Sequence, residues 1–267
     1  MEKDPLKISG SLRAEELAEG LQTKRVCSRI HAYETTDSTM EVAHRLARSG
    51  EPDGTVVIAE AQSKGRGRLG RNWVSPKGTG VYTSIILRPS IQLSEIPLIT
   101  LMTAVAVAHT IQAEADLRPE IKWPNDLLIG EKKVAGILTE LNAGSNRQNY
   151  VVVGIGVNVN TPASSLPDWA TSLAEELGHP IDRLSFARTL FLQIDSFYEQ
   201  FLNGETPVIL DEWRRFASFL GRRVRIVAEG RNIEGQAVDL DSTGALLVRT
   251  DHGFVESVAA GRVVVVQ

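Results

Sequence analysis

A single cysteine, Cys27, stands in a chain of 267 residues. No intrachain disulfide can form, and a cytoplasmic location is the natural expectation. Positive charge is not in excess either: 29 Lys and Arg face 33 Asp and Glu, for a net charge of -4. That balance counts against a protein spread along nucleic acid, although a local basic patch stays open. The opening MEKDPLKISG has none of the apolar run that a signal peptide needs. Uncharged apolar runs stop short of membrane-spanning length, and the nearest, residues 96–111, reads as a buried helix. There is no internal repeat, no low-complexity tract and no aromatic repeat of the kind that stacks on nucleic acid. What remains is ordinary globular composition, 42% hydrophobic and 23% charged, with length for one large domain or a large and a small one.

The pattern along the chain is mixed. Residues 6–34 combine helical and extended signals and yield no clear element. Asp37-Ser38-Thr39-Met40-Glu41 then opens a helix: Ser38 and Glu41 have capping-box spacing, and Met40, Ala43, Leu46 and Ala47 form an apolar stripe. TVVIAE at 55–60 and VYTSIILRP at 81–89 read as buried strands, separated by a Gly/Arg loop. Residues 96–117 form a long apolar helix. IKWPNDLLI (121–129) and KKVAGILTEL (132–141) are strand-like pieces joined in a hairpin at Gly130-Glu131, and YVVVGIGVNVN (150–160) is another strand. Helices are expected over roughly 185–202 and 207–220. Beyond Gly221 come short β segments with turns at Glu229-Gly230, Ser242-Thr243-Gly244 and His252-Gly253, the texture of a small barrel. The expected division is 1–220 and 221–267.

The loop KGRGRLGR (64–71) alternates glycine with cations. Glycine lets the backbone approach a ligand closely, and Lys64, Arg66, Arg68 and Arg71 supply donors for carboxylate or phosphate. Trp73 adds a flat apolar face for a heterocycle. The loop lacks the GK[ST] ending of a Walker A motif and is no dinucleotide fingerprint. On its own it fits a nucleotide site or a solvated basic turn that touches RNA about equally well.

A second cluster is Lys122-Trp123-Pro124-Asn125-Asp126. Pro124 pre-sets a turn that leaves Asn125 and Asp126 at a strand end, where Asp126 could hold Mg2+ or orient a nucleophile; an ordinary Pro-Asn-Asp turn is the plainer alternative. Lys133 opens a buried strand, and Gly136, Gly154 and Gly156 lie inside strands, which points to something approaching the sheet closely or to bulges. Asn158 at its strand end could reach a ligand or cap a turn.

Taken in order, TTDSTM, EAQSKGRGRLGRNWVSP, IKWPNDLLI, KKVAGILTEL and VVVGIGVNVN resemble the catalytic core of the biotin protein ligases, from about Tyr33 onward. The combination of GRGRxGRxW, KWPND and KxAGIL carries the specificity. The resemblance implies an α/β fold, a mixed, mainly antiparallel sheet with flanking helices in the manner of class II synthetases and biotinyl/lipoyl ligases. A small C-terminal SH3-like β-barrel would follow it. Ser38, Thr39 and Gln62 match positions that bind the ureido end of biotin, with Met40 where the family usually has Asn. Arg66, Gly67 and Arg68 match the loop over biotin and its activated carboxylate. Lys133 matches the lysine at the carboxyl and phosphates, and Gly136, Gly154 and Gly156 would make room for biotin. Arg71, Trp73, Asn125, Asp126 and Asn158 match the nucleotide side.

The implied reaction is ATP- and Mg2+-dependent formation of biotinyl-5'-AMP, then transfer of biotin to a lysine of a biotin carboxyl carrier protein. Arg68, Lys133 and Asp126 are the candidate catalytic groups; metal ligands are not legible. Roughly thirty residues precede the Asp-Ser-Thr motif, fewer than a helix-turn-helix domain needs, so no DNA-binding or repressor role is expected, and no membrane association. The sequence leaves the oligomeric state open, a homodimer included. The rival enzyme is a lipoate ligase of similar fold; the rival from another class is a nucleic-acid-binding module using the Gly/Arg loop.

Overall fold

The structure, a computed structural model, describes residues 11–142, 149–228 and 231–266. Along the chain the first elements are α1 (Ala14–Ala18), β1 (Ile30–Tyr33), α2 (Thr39–Arg48), β2 (Thr55–Ala59) and β3 (Val81–Leu87). The first two occupy the stretch whose sequence signals conflict. Each is too short to stand alone, so tertiary contacts decide them: β1 lies parallel to β2, with Ile30 opposite Val56 and Tyr33 opposite Ala59.

There follow α3 (Ile96–Ala115), β4 (Glu120–Lys122), β5 (Asp126–Ile129), β6 (Lys132–Asn142) and β7 (Tyr150–Val157). The expected single piece 121–129 is in fact two strands. Trp123, Pro124 and Asn125 turn the chain through a cis peptide at Trp123-Pro124, and β4 pairs back on β5 with Lys122 opposite Asp126. The hairpin at Gly130-Glu131 joins β5 and β6 as expected. Together these strands form a seven-stranded sheet in the order β1-β2-β3-β7-β6-β5-β4, antiparallel throughout except for the β1–β2 pair.

Register decides where a ligand could sit. Residues directly opposite each other in a ladder share a face. One face carries Ala135, Ile137, Ile155, Val153 and Ile85, which pack into the main core. Under it lie α3 and α5 (Arg183–Leu202), α5 after the short α4 (Leu173–Leu177), and α6 (Thr206–Phe216) packs on α3. The opposite face carries rows of small residues: Gly136 opposite Gly156 opposite Tyr82, then Leu138 opposite Gly154 opposite Ser84. The next row, Val152 and Ile86, is covered by Met40, Val42, Ala43 and Ala47 of α2 in a second, smaller core. The sheet is therefore left bare beside the N-terminus of α2.

Two helix ends differ from expectation. The long helix ends at Ala115, where Asp116 takes the left-handed conformation (φ 50°), and α6 ends at Phe216 rather than 220. Residues Leu93–Ala115, which include Glu95 and Glu114, are long and apolar enough by length and composition alone to cross a membrane, and the run 96–111 is the buried helix expected. Packing explains the composition, because thirteen of the twenty residues of α3 are buried between the sheet, α5 and α6. Ser38 is the N-cap residue of α2, but its side chain makes no capping hydrogen bond, so the capping box is not formed.

The C-terminal segment supplies β8 (Arg223–Ala228), β9 (Arg231–Leu240), β10 (Leu246–Thr250), β11 (Val255–Val258) and β12 (Arg262–Val265). They make a five-stranded antiparallel sheet in the order β11-β10-β9-β8-β12, with alternating burial along β8. The turns at 242–244 and 252–253 are present; the Glu229-Gly230 turn lies outside the described residues. The Asp241–Ala245 turn docks on the first unit: Trp123 Nε1 donates to the Gly244 carbonyl at 3.2 Å.

Candidate functional site

This patch of sheet is the floor of a cleft whose lining includes Thr39, Gln62, Arg66, Arg68, Asn125 and Lys133. At one end the chemistry is polar and uncharged. The Thr39 backbone N–H and hydroxyl both donate to Gln62 Oε1, at 2.9 and 3.1 Å, and Thr39 Oγ1 lies 2.8 Å from Ser84 Oγ. Gln62 Nε2 donates to Ser75 Oγ at 2.9 Å, which fixes the amide orientation. Ser38 is 1% exposed, and its hydroxyl has no partner among the described residues. A buried hydroxyl without a partner is costly, and it becomes satisfied when a ligand supplies one. Freed from capping α2, Ser38 is available for that role. Met40 packs beside this end, its sulfur resting where a side chain at Gly154 would sit.

Over the floor runs the Gly/Arg loop. It closes on itself as a narrow arm: Arg66 bridges Asn72, the Gly67 N–H donates to the Arg71 carbonyl at 2.7 Å, and the Trp73 N–H donates to the Gly65 carbonyl at 2.8 Å. At its tip Leu69 has φ 57° and is 85% exposed. Two arginines tie the arm down. Arg66 forms a two-pronged pair with Glu140 of β6, at 2.6 and 3.2 Å. Arg68 donates from Nη1 to Asn125 Oδ1 at 2.6 Å. Lys64 turns outward to Asp37 at 2.9 Å.

The cations differ in how they are neutralised. Arg66 and Lys133 each face a carboxylate, Lys133 Nζ lying 2.5 Å from Asp126 Oδ1. Arg68 donates to a neutral amide. Burial pushes its guanidinium below the usual range, the nearby Asp126 charge opposes that, and Arg71 adds to it. Arginine keeps its proton regardless, so the physical content is an under-compensated positive charge facing the cleft, a place that attracts an anion.

Glycine at 136 and 156 makes room for a ring that the chain itself supplies. A Cβ on Gly156 would lie 2.5 Å from Trp73 Cε2 and Nε1, and one on Gly136 would lie 3.0 Å from Trp73 Cζ3 and from Lys133 Cε and Nζ. Trp73 thus lies flat on the sheet, with Lys133 Nζ 5.3 Å from its ring centre, within cation–π range, and with its indole N–H buried and unpartnered. The expectation that these glycines leave open room for a ligand is modified: Trp73 and Met40 already fill the notches over Gly136, Gly156 and Gly154.

Asn125, 8% exposed, donates from Nδ2 to the Ile137 carbonyl at 2.9 Å and to Asp126 Oδ1 at 3.1 Å, so one residue joins Arg68 to the Asp126–Lys133 pair. Asn158, just past β7, donates to the Thr171 carbonyl at 3.0 Å while its Oδ1 is buried without a partner among the described residues. Arg71 is exposed and does not line the cleft. Among the described residues no three His, Cys, Asp or Glu side chains gather as a metal site. Mg2+ bound through substrate phosphates needs only one or two protein carboxylates, and Asp126 is the one at hand, so the donor set fits a Mg2+ that arrives on a nucleotide.

Residues 32–158 match the Biotin/lipoate A/B protein ligase family, and residues 219–266 match the Biotin protein ligase C terminal domain. The Bifunctional ligase/repressor BirA of Bacillus subtilis is 38% identical over 254 residues, 93% of this chain and 78% of that protein. The chain belongs to the biotin protein ligase family. The Biotin--[acetyl-CoA-carboxylase] ligase of Mycobacterium tuberculosis is 30% identical over 240 residues, 86% of each chain. Among solved structures, the biotin protein ligase of Aquifex aeolicus in complex with biotin and ATP superimposes with a TM-score of 0.77 at 29% identity, over 90% of this chain and 99% of that one.

In this member of the biotin protein ligases, several cleft residues lie beyond those that the sequence singled out. Thr83, Ile137, Leu138 and Ile155 line the cleft, Ser84 and Ser75 buttress its polar end, and Glu140 with His44 anchors Arg66. The Thr83-Ser84 pair inside the apolar strand VYTSIIL was a usable signal, since buried hydroxyls in a strand need a reason. Nothing in sequence spacing pairs Glu140 with Arg66, 74 residues apart.

Proposed function

We infer that this protein is an ATP-dependent biotin protein ligase that makes biotinyl-5'-AMP and passes biotin to a lysine of a biotin carboxyl carrier protein. The observation that carries the reading is the convergence of Arg68 and Lys133 at one end of a cleft whose other end is lined by Thr39 and Gln62, with Ser84 hydrogen-bonded behind Thr39. An amphiphilic acid with a polar, uncharged head fits that layout: its ring end takes the amide and hydroxyls, and its carboxylate reaches the cations. A biotin ureido group both donates and accepts, as Gln62, Ser38 and Thr39 do, whereas the dithiolane of lipoate offers neither. Biotin is therefore the favoured acid.

In the first step the biotin carboxylate attacks the α-phosphate of ATP and pyrophosphate leaves. Bringing two anions together is opposed by Coulomb repulsion, which fixed cations in a partly buried site offset. Arg68 is preorganised for this by its neutral partner. Lys133 releases Asp126 to meet the phosphates, and Mg2+, when bound, adds charge neutralisation on the same oxygens. In the second step the carrier lysine attacks the mixed anhydride and AMP leaves. Ser38, Thr39, Met40, Gln62, Arg66 and Gly67 contact biotin. Trp73, Asn125, Asp126 and Asn158 lie on the nucleotide side, with Arg71 outside the first layer. Trp73 must lift from the glycines as substrate enters, giving Gly136 and Gly156 back to the ligand.

Incubating the protein with ATP, Mg2+, biotin and a carrier domain, then weighing the carrier, tests this reading. One added biotinyl group is expected; an unmodified carrier, or modification by lipoate in preference to biotin, contradicts it.

A further inference from the structure

Glu140 lies near the end of the KKVAGILTEL segment, which assigns it no role, yet its placement is specific. Along β6 the residues Gly136, Leu138 and Glu140 share one face by the two-residue alternation of a strand, and the first two line the cleft. Glu140 is the next residue on that face and stands at the rim, beyond Leu138. From there it takes Arg66 of the arm in a two-pronged pair, Nη2 to Oε1 at 2.6 Å and Nη1 to Oε2 at 3.2 Å. His44 Nε2 of α2 lies 2.8 Å from the same Oε2, and His44 Nδ1 lies 3.4 Å from the Tyr150 hydroxyl of β7. The carboxylate is thus fixed from behind before it grips the loop.

Besides the Lys64–Asp37 pair at its base and the Trp73 ring on the sheet, the arm is held by two arginine side chains, one on each side of the cleft. Arg68 ties it to Asn125 on the nucleotide side; Arg66 ties it to Glu140 on the far side. Because the Arg66–Asn72 bridge makes the arm a closed hairpin, both arginines together fix its height and tilt, and loss of either leaves it free to swing about the other. A guanidinium–carboxylate fork restrains orientation as well as distance, which a lysine or an amide in place of either partner would not do.

We propose that Glu140, backed by His44, is a positioning residue that clamps Arg66 and so holds the Gly/Arg arm down over the reactive acid. The inference rests on the ligase reading above. Arg68, Lys133 and Asp126 are untouched by loss of this clamp, so the chemistry of adenylate formation survives while the cover over biotin and its adenylate loosens. Water then reaches the mixed anhydride, and the intermediate escapes before the carrier arrives.

The experiment compares wild type with Glu140→Gln, Glu140→Asp and His44→Ala, each checked first by thermal melting. For Glu140→Gln, the apparent KM for biotin rises roughly tenfold, the size of one lost charge-assisted contact, with kcat for biotin-dependent pyrophosphate exchange within about twofold of wild type. More ATP is consumed per carrier biotinylated, and trypsin cuts faster within 64–71. Glu140→Asp, which keeps the charge, recovers part of each effect, and His44→Ala shifts them in the same direction by less. If Glu140→Gln lowers the melting temperature but leaves biotin KM, the ATP-to-carrier ratio and tryptic cleavage unchanged, Glu140 is only a structural residue and the proposal fails. If Glu140→Gln does not fold, an unaltered ratio and cleavage rate in both Glu140→Asp and His44→Ala overturn it. A wild-type protein inactive with biotin overturns the ligase reading itself, a result separate from any of these.

Discussion

At the level of single residues, the cleft is shaped by what each side chain lacks as much as by what it offers. Gly156 lacks the Cβ that would strike the Trp73 ring at 2.5 Å. Gly156→Ala should therefore cost about 1–3 kcal/mol in denaturant unfolding, as overpacking does, because the Trp73 ring must give up its contacts with the sheet to make room. In a Trp73→Ala background the same substitution should cost under about 0.5 kcal/mol, since the two sites are coupled only through the ring. Equal costs in both backgrounds would contradict the contact.

Cys27 offers a test by pH. Burial, with the charge of Asp195 adding to it, pushes its thiol up to about 12. An unfolded cysteine ionises near pH ~8.5. The folded state therefore holds its proton more tightly, so the contribution is intact below pH ~8.5 and is lost as pH climbs towards the folded value. Cys27→Ser should flatten the alkaline limb of the stability curve, and the native thiol should resist iodoacetamide at pH 8. Rapid alkylation of the folded protein at that pH would refute the account.

The residues that could be read from the sequence are those whose chemistry is local. Glycine between cations, Asn-Asp after proline and a lysine opening a strand each announce a site by type and spacing. Ser38 shows the limit: its spacing from Glu41 suggested a cap, but the hydroxyl is turned away from the helix and left without a partner. Trp73 lying on Gly136 and Gly156, and Glu140 meeting Arg66, depend on contacts between distant segments that no periodicity encodes.

Among elements, the long strands and helices were legible because each buries a continuous apolar run or stripe. β1, α1 and α4 were not, since a few residues held by tertiary pairing carry little signal of their own. The junction of α5 with the sheet depends on a buried ion pair. Arg183, 1% exposed, reaches Glu60 at 2.8 Å and the Gly80 carbonyl at 3.1 Å, while Glu60 Oε1 accepts the Leu12 N–H at 2.7 Å. Removing one partner leaves a buried charge uncompensated. Arg183→Met should lower unfolding free energy by about 3–5 kcal/mol in a urea titration. A loss below ~1 kcal/mol would place the weight of this junction elsewhere.

For the molecule as a whole, the two sheets meet at the turn that bears Asn125 and Asp126, through the bond from Trp123 to Gly244. That sets the Asn125–Asp126 end of the cleft at the seam between the larger sheet and the C-terminal one, and the Thr39–Gln62 end against α2. At the centre of the proposed reaction, Arg68 and Lys133 act together on one activated acid. The most direct test is biotin-dependent exchange of labelled pyrophosphate into ATP, measured for wild type, Arg68→Ala and Lys133→Ala at matched folded concentrations. Wild type should exchange only with biotin present, and each variant should fall by roughly 10²–10³-fold with an unchanged far-UV spectrum. Exchange at the wild-type rate in either variant would contradict the central claim.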